Sequence, residues 1–338
     1  MNSTPDSIED LDRQLSEPSD AVVRIVRETD GAFAVLGAAG KMGFHLSLML
    51  QKALQAAGRD EQVVAVSRFS DPASRAQFEA AGLSTVAADL SDADSVADLP
   101  KWENVFFLAG VKFGTSDQPD LLQKMNVQMP QLVARHFATS RIVALSTGCV
   151  YSFSIPESGG SLETDQTDPP GEYPISCLGR ETAFVNSGAK CCLVRLNYSI
   201  DLRYGVLVDI AQKVKAGLPI DVSTGYVNVI WQRDAIDHIV QTLPHAATPP
   251  FVVNITGREI LRVRDIAKEF GRLFDCPVQI TGREEPTAWL SNPTRAYQLF
   301  GEPQVSSKLM MERIADWLKR DRPTLNKPTH FETRDGNY

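Results

Sequence analysis

Six short apolar runs constrain this chain more than any other feature. AFAVLG (32–37), QVVAVS (62–67), LSTVAA (83–88), NVFFLAG (104–110), RIVALST (141–147) and CCLVRLN (191–197) are each six or seven residues long. They are rich in Val, Leu, Ile or Phe and nearly continuous, as strands buried on both faces are. Amphipathic stretches separate them, so the pattern predicts repeated βαβ units in a parallel sheet. Helices would need apolar patterning over ten or more residues, which these runs are too short to carry. The expected fold is α/β: a doubly wound parallel sheet with a smaller C-terminal α/β lobe.

After about residue 200 the rhythm changes. FVVNITG (251–257), VRDIAKEFGRLF (263–274) and CPVQITG (276–282) read as strand, helix and strand, and SSKLMMERIADWLKR (306–320) reads as a helix. The expected division is a polar N-terminal extension over 1–30 and a dinucleotide-binding domain over 31–200 plus about 225–250. A substrate lobe follows over about 201–224 and 251–320, with a polar tail over 321–338. The net charge of −8 comes with no lysine or arginine cluster, which argues against nucleic acid and an anionic membrane surface as partners. The five cysteines are odd in number and lack C-x-x-C spacing. A reducing cytoplasm is therefore expected, with no metal site and no disulfide framework. The first 30 residues contain no long apolar run, so neither a secretory signal nor a membrane span is expected there.

The first strand runs into a glycine trio, Gly37, Gly40 and Gly43, with Lys41 and Met42 between the last two. Glycine permits the tight turn and lets backbone approach a pyrophosphate at a helix N-terminus. Placed between a strand and a helix, the trio predicts a dinucleotide site. The second strand ends Ser67-Arg68, where an NAD-selective site carries Asp or Glu for the ribose hydroxyls. Arg68 suits a 2′-phosphate instead, so NADP is expected, with NAD as the alternative and Lys41 as support. Asp89, closing the third strand beside Leu90, is a candidate for the adenine amino group.

Together these segments resemble an extended short-chain dehydrogenase/reductase of the NAD-dependent epimerase/dehydratase type. The similarity runs from about 32 to 320 and rests on the glycine trio, Asp89-Leu90, Leu108-Ala109-Gly110, Asn126-Val127, STGCVY (146–151), YPISC (173–177), RLN (195–197) and NITG (254–257). The resemblance implies that Thr147 bonds the substrate oxygen and that Tyr173 is the general acid/base for hydride transfer at nicotinamide C4. It implies Asn126 near the active site, and a homodimer formed through the helix bearing Tyr173. STGCVY is similar to the S-S-C-I-Y segment of GDP-fucose synthases, which makes Cys149 a candidate acid/base as well. Nucleotide-sugar members carry N-x-Y-G-P and an arginine for the diphosphate. This chain keeps Asn197 but has NYSIDLRYG (197–205), and Val227 where that arginine stands. A smaller sugar-like substrate is therefore also open, with Lys112, Asn197, Arg203 and Tyr204 as candidate contacts and Asn228 and Trp231 beside them.

The family pattern Y-x-x-S-K-x-x-x-E is met at Tyr173, Ser176 and Glu181, but position 177 is cysteine. The missing lysine ordinarily favours phenolate and bonds the nicotinamide ribose. Tyrosine, with a reference pKa of about 10, needs such a charge to act as a base near neutrality. Three readings stand open: the oxidised nicotinamide supplies the charge, Arg180 supplies it from two helical turns on, or turnover is lost. Roughly 10 Å of axial rise separates Arg180 from Tyr173, and an exposed Arg180 is the expected state. Cys177 itself reads as a small buried residue, with a nucleophilic role as the other option. The function expected is an NAD(P)-dependent oxidoreductase or epimerase of a sugar-like substrate, the alternative being a cofactor-binding regulatory or scaffold protein.

Overall fold

Each of the six runs forms a strand, and all six lie parallel in one sheet. They are β1 (Phe33–Leu36), β2 (Val64–Ser67), β3 (Ser84–Ala87), β4 (Asn104–Phe107), β5 (Arg141–Thr147) and β6 (Lys190–Leu196). The computed structural model describes residues 4–115 and 118–336; residues 1–3 of the N-terminal stretch and 337–338 of the tail lie outside the described residues. All residues of β1 and β4 are buried, as strands covered on both faces require. From edge to edge the sheet runs β3, β2, β1, β4, β5, β6 and then Phe251–Ile255. Val35 lies opposite Ala65 on one side and Phe106 on the other. Chain direction across the sheet reverses between β1 and β4, and at that switch point the strand ends open into a crevice.

The seventh strand departs from the sequence reading, which puts FVVNITG in the smaller lobe. Phe251 pairs with Cys192 and Ile255 with Leu196, so this run extends the main sheet. Val253 and Ile255 are wholly buried in the same core as Ile236 and Ile239.

The helices are α1 (Ile8–Leu15), α2 (Asp20–Glu28), α3 (Gly43–Ala56), α4 (Pro72–Ala80), α5 (Ala93–Ala97), α6 (Pro119–Leu122), α7 (Met129–His136), α8 (Glu172–Ser187), α9 (Val206–Lys215), α10 (Gln232–Gln241), α11 (Val263–Phe274), α12 (Thr294–Phe300) and α13 (Ser307–Lys319). The stretch read as a polar extension thus holds two helices. Ser7 and Ser19 cap them by accepting from Asp10 N and Val22 N. Leu11 and Leu15, one turn apart, are buried with Leu207, Phe270 and Trp317 in the smaller lobe. Val22 and Val26 are buried against α3 and α10 on the main sheet. Their i, i+4 spacing makes each helix one-sided, which is why a polar segment docks.

The smaller lobe is built on α9, α11 and α13. CPVQITG gives it only the two-residue strand Ile280–Thr281, beside Ile220–Asp221. The tail from Asp321 also packs on the protein. Thr329 donates through N (2.7 Å) and Oγ1 (2.6 Å) to the Asp209 carboxylate, and Phe331 is buried.

Candidate active site

At the end of β1 the chain turns sharply. Gly37 has φ +80°, and both Gly37 N and Ala38 N donate to Val66 O at 2.9 and 3.0 Å. A Cβ on Gly37 would lie 2.6 Å from Ala109 N, and one on Gly43 would lie 2.2 Å from Ala38 O. Only glycine permits that turn and that approach. No side chain caps α3 at Met42, which leaves the positive end of a 14-residue helix for an anion.

A cavity of about 520 Å³ follows the ends of β1 to β4. Gly37, Gly40, Ser67, Arg68, Asp89, Leu90, Leu108, Ala109 and Gly110, all candidate cofactor contacts, line it, whereas Gly43 and Asn126 do not. Phe69, Ser70, Asp71, Ser74, Met125 and Met129 are also in the wall and escaped the sequence reading. The first four follow Arg68 closely, and Asp71-Pro72 is a helix-start signal that marks them as lining the loop. The Asp89 carboxylate accepts from Ser91 N (2.9 Å) and Oγ (2.7 Å), and those bonds hold it below the usual carboxylate range.

Lys41 and Met42 line a different space. Lys41 Nζ donates to Ser199 O at 3.0 Å and lies 3.9 Å from the Tyr204 ring centre. Burial lowers its pKa to about 8, against the pull of Asp201. Lys41 is therefore no support for Arg68: the smaller lobe's Tyr204 draws it away from the ribose end.

That second cavity, about 290 Å³, adjoins the first and shares Gly40 and Leu108 with it. Among its lining residues are Lys112, Thr147, Cys149, Tyr173, Asn197 and Tyr204. Tyr198, Ser199, Gly205, Val206 and Thr329 also contribute and were not foreseen. Tyr198 and Ser199 directly follow Asn197, so their signal lay in the strand-end position; Thr329, in the polar tail, carried none.

Three other candidate substrate contacts are spent elsewhere. Arg203 pairs with Asp12 of α1 at 3.1 Å and with Asp201 at 3.8 Å. Asn228 donates to Gly257 O (3.1 Å) and Ser291 O (2.6 Å) and accepts from Asn197 (2.8 Å). Trp231 is buried in the smaller lobe's core. None of the three lines the cavity.

Tyr173 sits in the first turn of α8, which two buried contacts fix against the sheet. Glu181 pairs with Arg195 of β6 at 2.7 Å and accepts from Ser146 Oγ of β5 at 2.6 Å. Asn126 lies in a π-helical turn, Gln123–Gln128, and is wholly buried. Its Nδ2 donates to Val111 O (2.8 Å) and Ser176 Oγ (2.9 Å), and its Oδ1 accepts from Val111 N (2.9 Å) and Arg180 (2.7 Å). One amide thus joins the loop after β4 to α8, and π turns commonly mark such positions.

Arg180 is buried at 8% exposure, not exposed as the sequence reading expects. It donates to Asn126 and to Leu145 O (3.1 Å), and Gly110 makes the room: a Cβ there would lie 2.1 Å from its Nη2. Cys177 is wholly buried, and burial raises its thiol pKa. Burial also pushes the Tyr173 phenol well above its ordinary value, with Cys177 and Cys149 adding to the shift and Arg180 opposing it. Thr147 Oγ1 accepts from Cys149 N at 3.2 Å. The five cysteines are free thiols. Among the described residues no helix is long and apolar enough to cross a membrane, and no group of three His, Cys, Asp or Glu is placed to hold a metal.

The model of the NAD dependent epimerase/dehydratase family matches residues 33–195. No curated protein sequence matches the chain. Solved structures do. The Bordetella bronchiseptica enzyme WbmG, in complex with NAD and UDP, is 18% identical with a TM-score of 0.72, over 89% of this chain and 99% of that one. The Thermus thermophilus UDP-glucose 4-epimerase, in complex with NAD, is 18% identical with a TM-score of 0.67, over 85% and 99%. DesIV, the dTDP-glucose 4,6-dehydratase of Streptomyces venezuelae with NAD and TYD bound, is 18% identical with a TM-score of 0.72, over 86% and 97%. At these identities the likeness is one of fold. Over residues 33–195 the chain is therefore similar to the NAD dependent epimerase/dehydratase family.

Proposed function

We propose that the chain is an NAD(P)-dependent epimerase or oxidoreductase of a sugar substrate, nucleotide sugars being the first to test, with Tyr173 as general acid/base. The observation that carries this reading is the junction of the two cavities. The glycine-lined one meets, at Gly40 and Leu108, the one lined by Thr147 and Tyr173. The close approach of Gly37 to Ala109 and the uncapped start of α3 fit a dinucleotide's pyrophosphate. Such a cofactor supplies hydride transfer at its nicotinamide. Thr147 bonds the substrate oxygen, and Tyr173 passes a proton to or from that oxygen. WbmG and the Thermus epimerase are both complexes with NAD, and the latter is a UDP-glucose 4-epimerase, which supports both the cofactor class and the substrate class.

The finer cofactor preference we assign to NADP. Arg68 is exposed at the mouth of the first cavity with the hydroxyls of Ser67, Ser70 and Ser74 around it. The Asp71 carboxylate nearby is engaged as the cap of α4, accepting from Ala73 N at 3.0 Å. For the substrate, Val227 is wholly buried where the family's diphosphate arginine stands, and the second cavity is about 290 Å³, which suits a sugar more than a whole nucleotide sugar. Exposed Ile175 and Val185 on α8 support pairing with a second copy through that helix.

The test is interconversion of UDP-glucose, dTDP-glucose and free hexoses in the presence of NAD or NADP, followed by NMR. Tyr173→Phe is expected to abolish turnover while dinucleotide binding persists. Activity within about tenfold of wild type rejects Tyr173 as the acid/base, since such groups contribute roughly 10²–10⁴-fold.

A further inference from the structure

Position 177 supplies no cation, since a thiol is neutral and ionises only to an anion; here it is also wholly buried. Two basic side chains nevertheless reach the surroundings of Tyr173, from different directions. Arg180 comes along α8, and its guanidinium is committed to Asn126 Oδ1 and Leu145 O. Lys112 comes from the loop after β4, across the cavity. Its Nζ lies 5.8 Å from the Tyr173 ring centre and 5.1 Å from that of Phe113, and it lines the same space as Thr147, Cys149 and Tyr173.

The loop that carries it is held on both sides. Asn126 bonds both the N and the O of Val111, the residue before Lys112. The Lys112 carbonyl accepts from Thr115 Oγ1 at 2.8 Å, closing the turn that follows. The backbone on either side of this side chain is therefore fixed.

We propose that Lys112 is the displaced cation of this active site, a positioning residue whose ammonium favours the phenolate of Tyr173 from the β4 loop. The step is proton transfer alone: with the ammonium beside it, Tyr173 gives its proton to substrate oxygen or solvent more readily. This inference rests on the reading of Tyr173 as general acid/base. The other titratable groups facing the phenol are the thiols of Cys177 on α8 and Cys149 after β5, and Arg180; Tyr198 lines the cavity wall after β6. Burial lowers the pKa of Lys112, so the bound cofactor complex is the state to measure.

The experiment is an ultraviolet titration of tyrosine in the complex with NADP⁺, needing no substrate. The difference between wild type and Tyr173→Phe isolates this phenol. In Lys112→Met and Lys112→Gln its ionisation should move up by roughly 1–3 pH units, the usual effect of losing one neighbouring opposite charge. Lys112→Arg should keep most of the wild-type value, and Cys177→Lys placed in the Lys112→Met background should recover it. An unmoved titration in both neutral variants overturns the proposal, as does a wild-type Tyr173 that stays protonated until the protein unfolds. Failure of the underlying reading shows separately, as turnover that survives in Tyr173→Phe.

Discussion

Gly110→Ala tests whether Arg180 is pinned in place. Gly110 does not carry positive φ, so alanine fits its backbone, and at an unconstrained site Gly→Ala stabilises by about 0.4–1 kcal/mol. Here the new methyl would lie 2.1 Å from Arg180 Nη2, 2.9 Å from Cζ and 3.0 Å from Asn126 Oδ1. Relief to an ordinary contact of about 3.5 Å moves the guanidinium by more than 1 Å. That breaks its 2.7 Å bond to Asn126, and the guanidinium belongs to a side chain only 8% exposed. Losing one buried charge-assisted bond costs about 1.5–3 kcal/mol. The expected result is therefore destabilisation by about 2 kcal/mol in urea unfolding, measured without dinucleotide because Gly110 lines the first cavity. In an Arg180→Met background the same substitution should cost less than about 0.5 kcal/mol, giving a coupling of roughly 1.5 kcal/mol or more in the double-mutant cycle. If Gly110→Ala is neutral, or equally costly in both backgrounds, the guanidinium is not held by Asn126 and the argument fails.

Arg68→Ala is expected to remove a preference for NADP over NAD, read by calorimetric titration of each; equal affinities in the wild type refute the preference itself. His238 is buried, and burial lowers its pKa to about 4 from 6.5, so the folded state keeps it neutral where the unfolded chain binds a proton. Its contribution is present above about 6.5 and lost as pH falls toward 4, a change of about 3 kcal/mol at ~1.4 kcal/mol per unit. His238→Leu should flatten the acid limb of the stability curve by about that amount in urea midpoints across this window, and parallel curves for both proteins would refute it.

The sheet's central strands are legible because burial on both faces writes itself into consecutive residues: Phe33–Leu36 and Asn104–Phe107 leave no solvent side to encode. FVVNITG carries the same signal, yet its pairing with β6 depends on chain nearly sixty residues away. Local pattern gives the strand and not its neighbour. The first cavity is legible for a related reason, since most of its wall follows strand ends directly, and the doubly wound topology brings those ends together.

What the sequence conceals are the partners of polar side chains. Arg203 and Trp231 are residue types that suit a substrate site, but Asp12, from a segment that reads as an extension, pairs with the first, and the smaller lobe's core absorbs the second. Lys41 reads as a phosphate ligand by position, until Tyr204 and Ser199 arrive from the other lobe. Arg180 is the sharpest instance. Helix geometry correctly sets its Cα two turns from Tyr173, but its burial needs the space left by Gly110 and an acceptor on Asn126, neither of which lies on its helix. A lysine missing at 177 therefore looks, along the chain, like a lost charge. In the fold, basic side chains from position 180 and position 112 both come near Tyr173, because the field at a group depends on where charge sits and not on which element carries it.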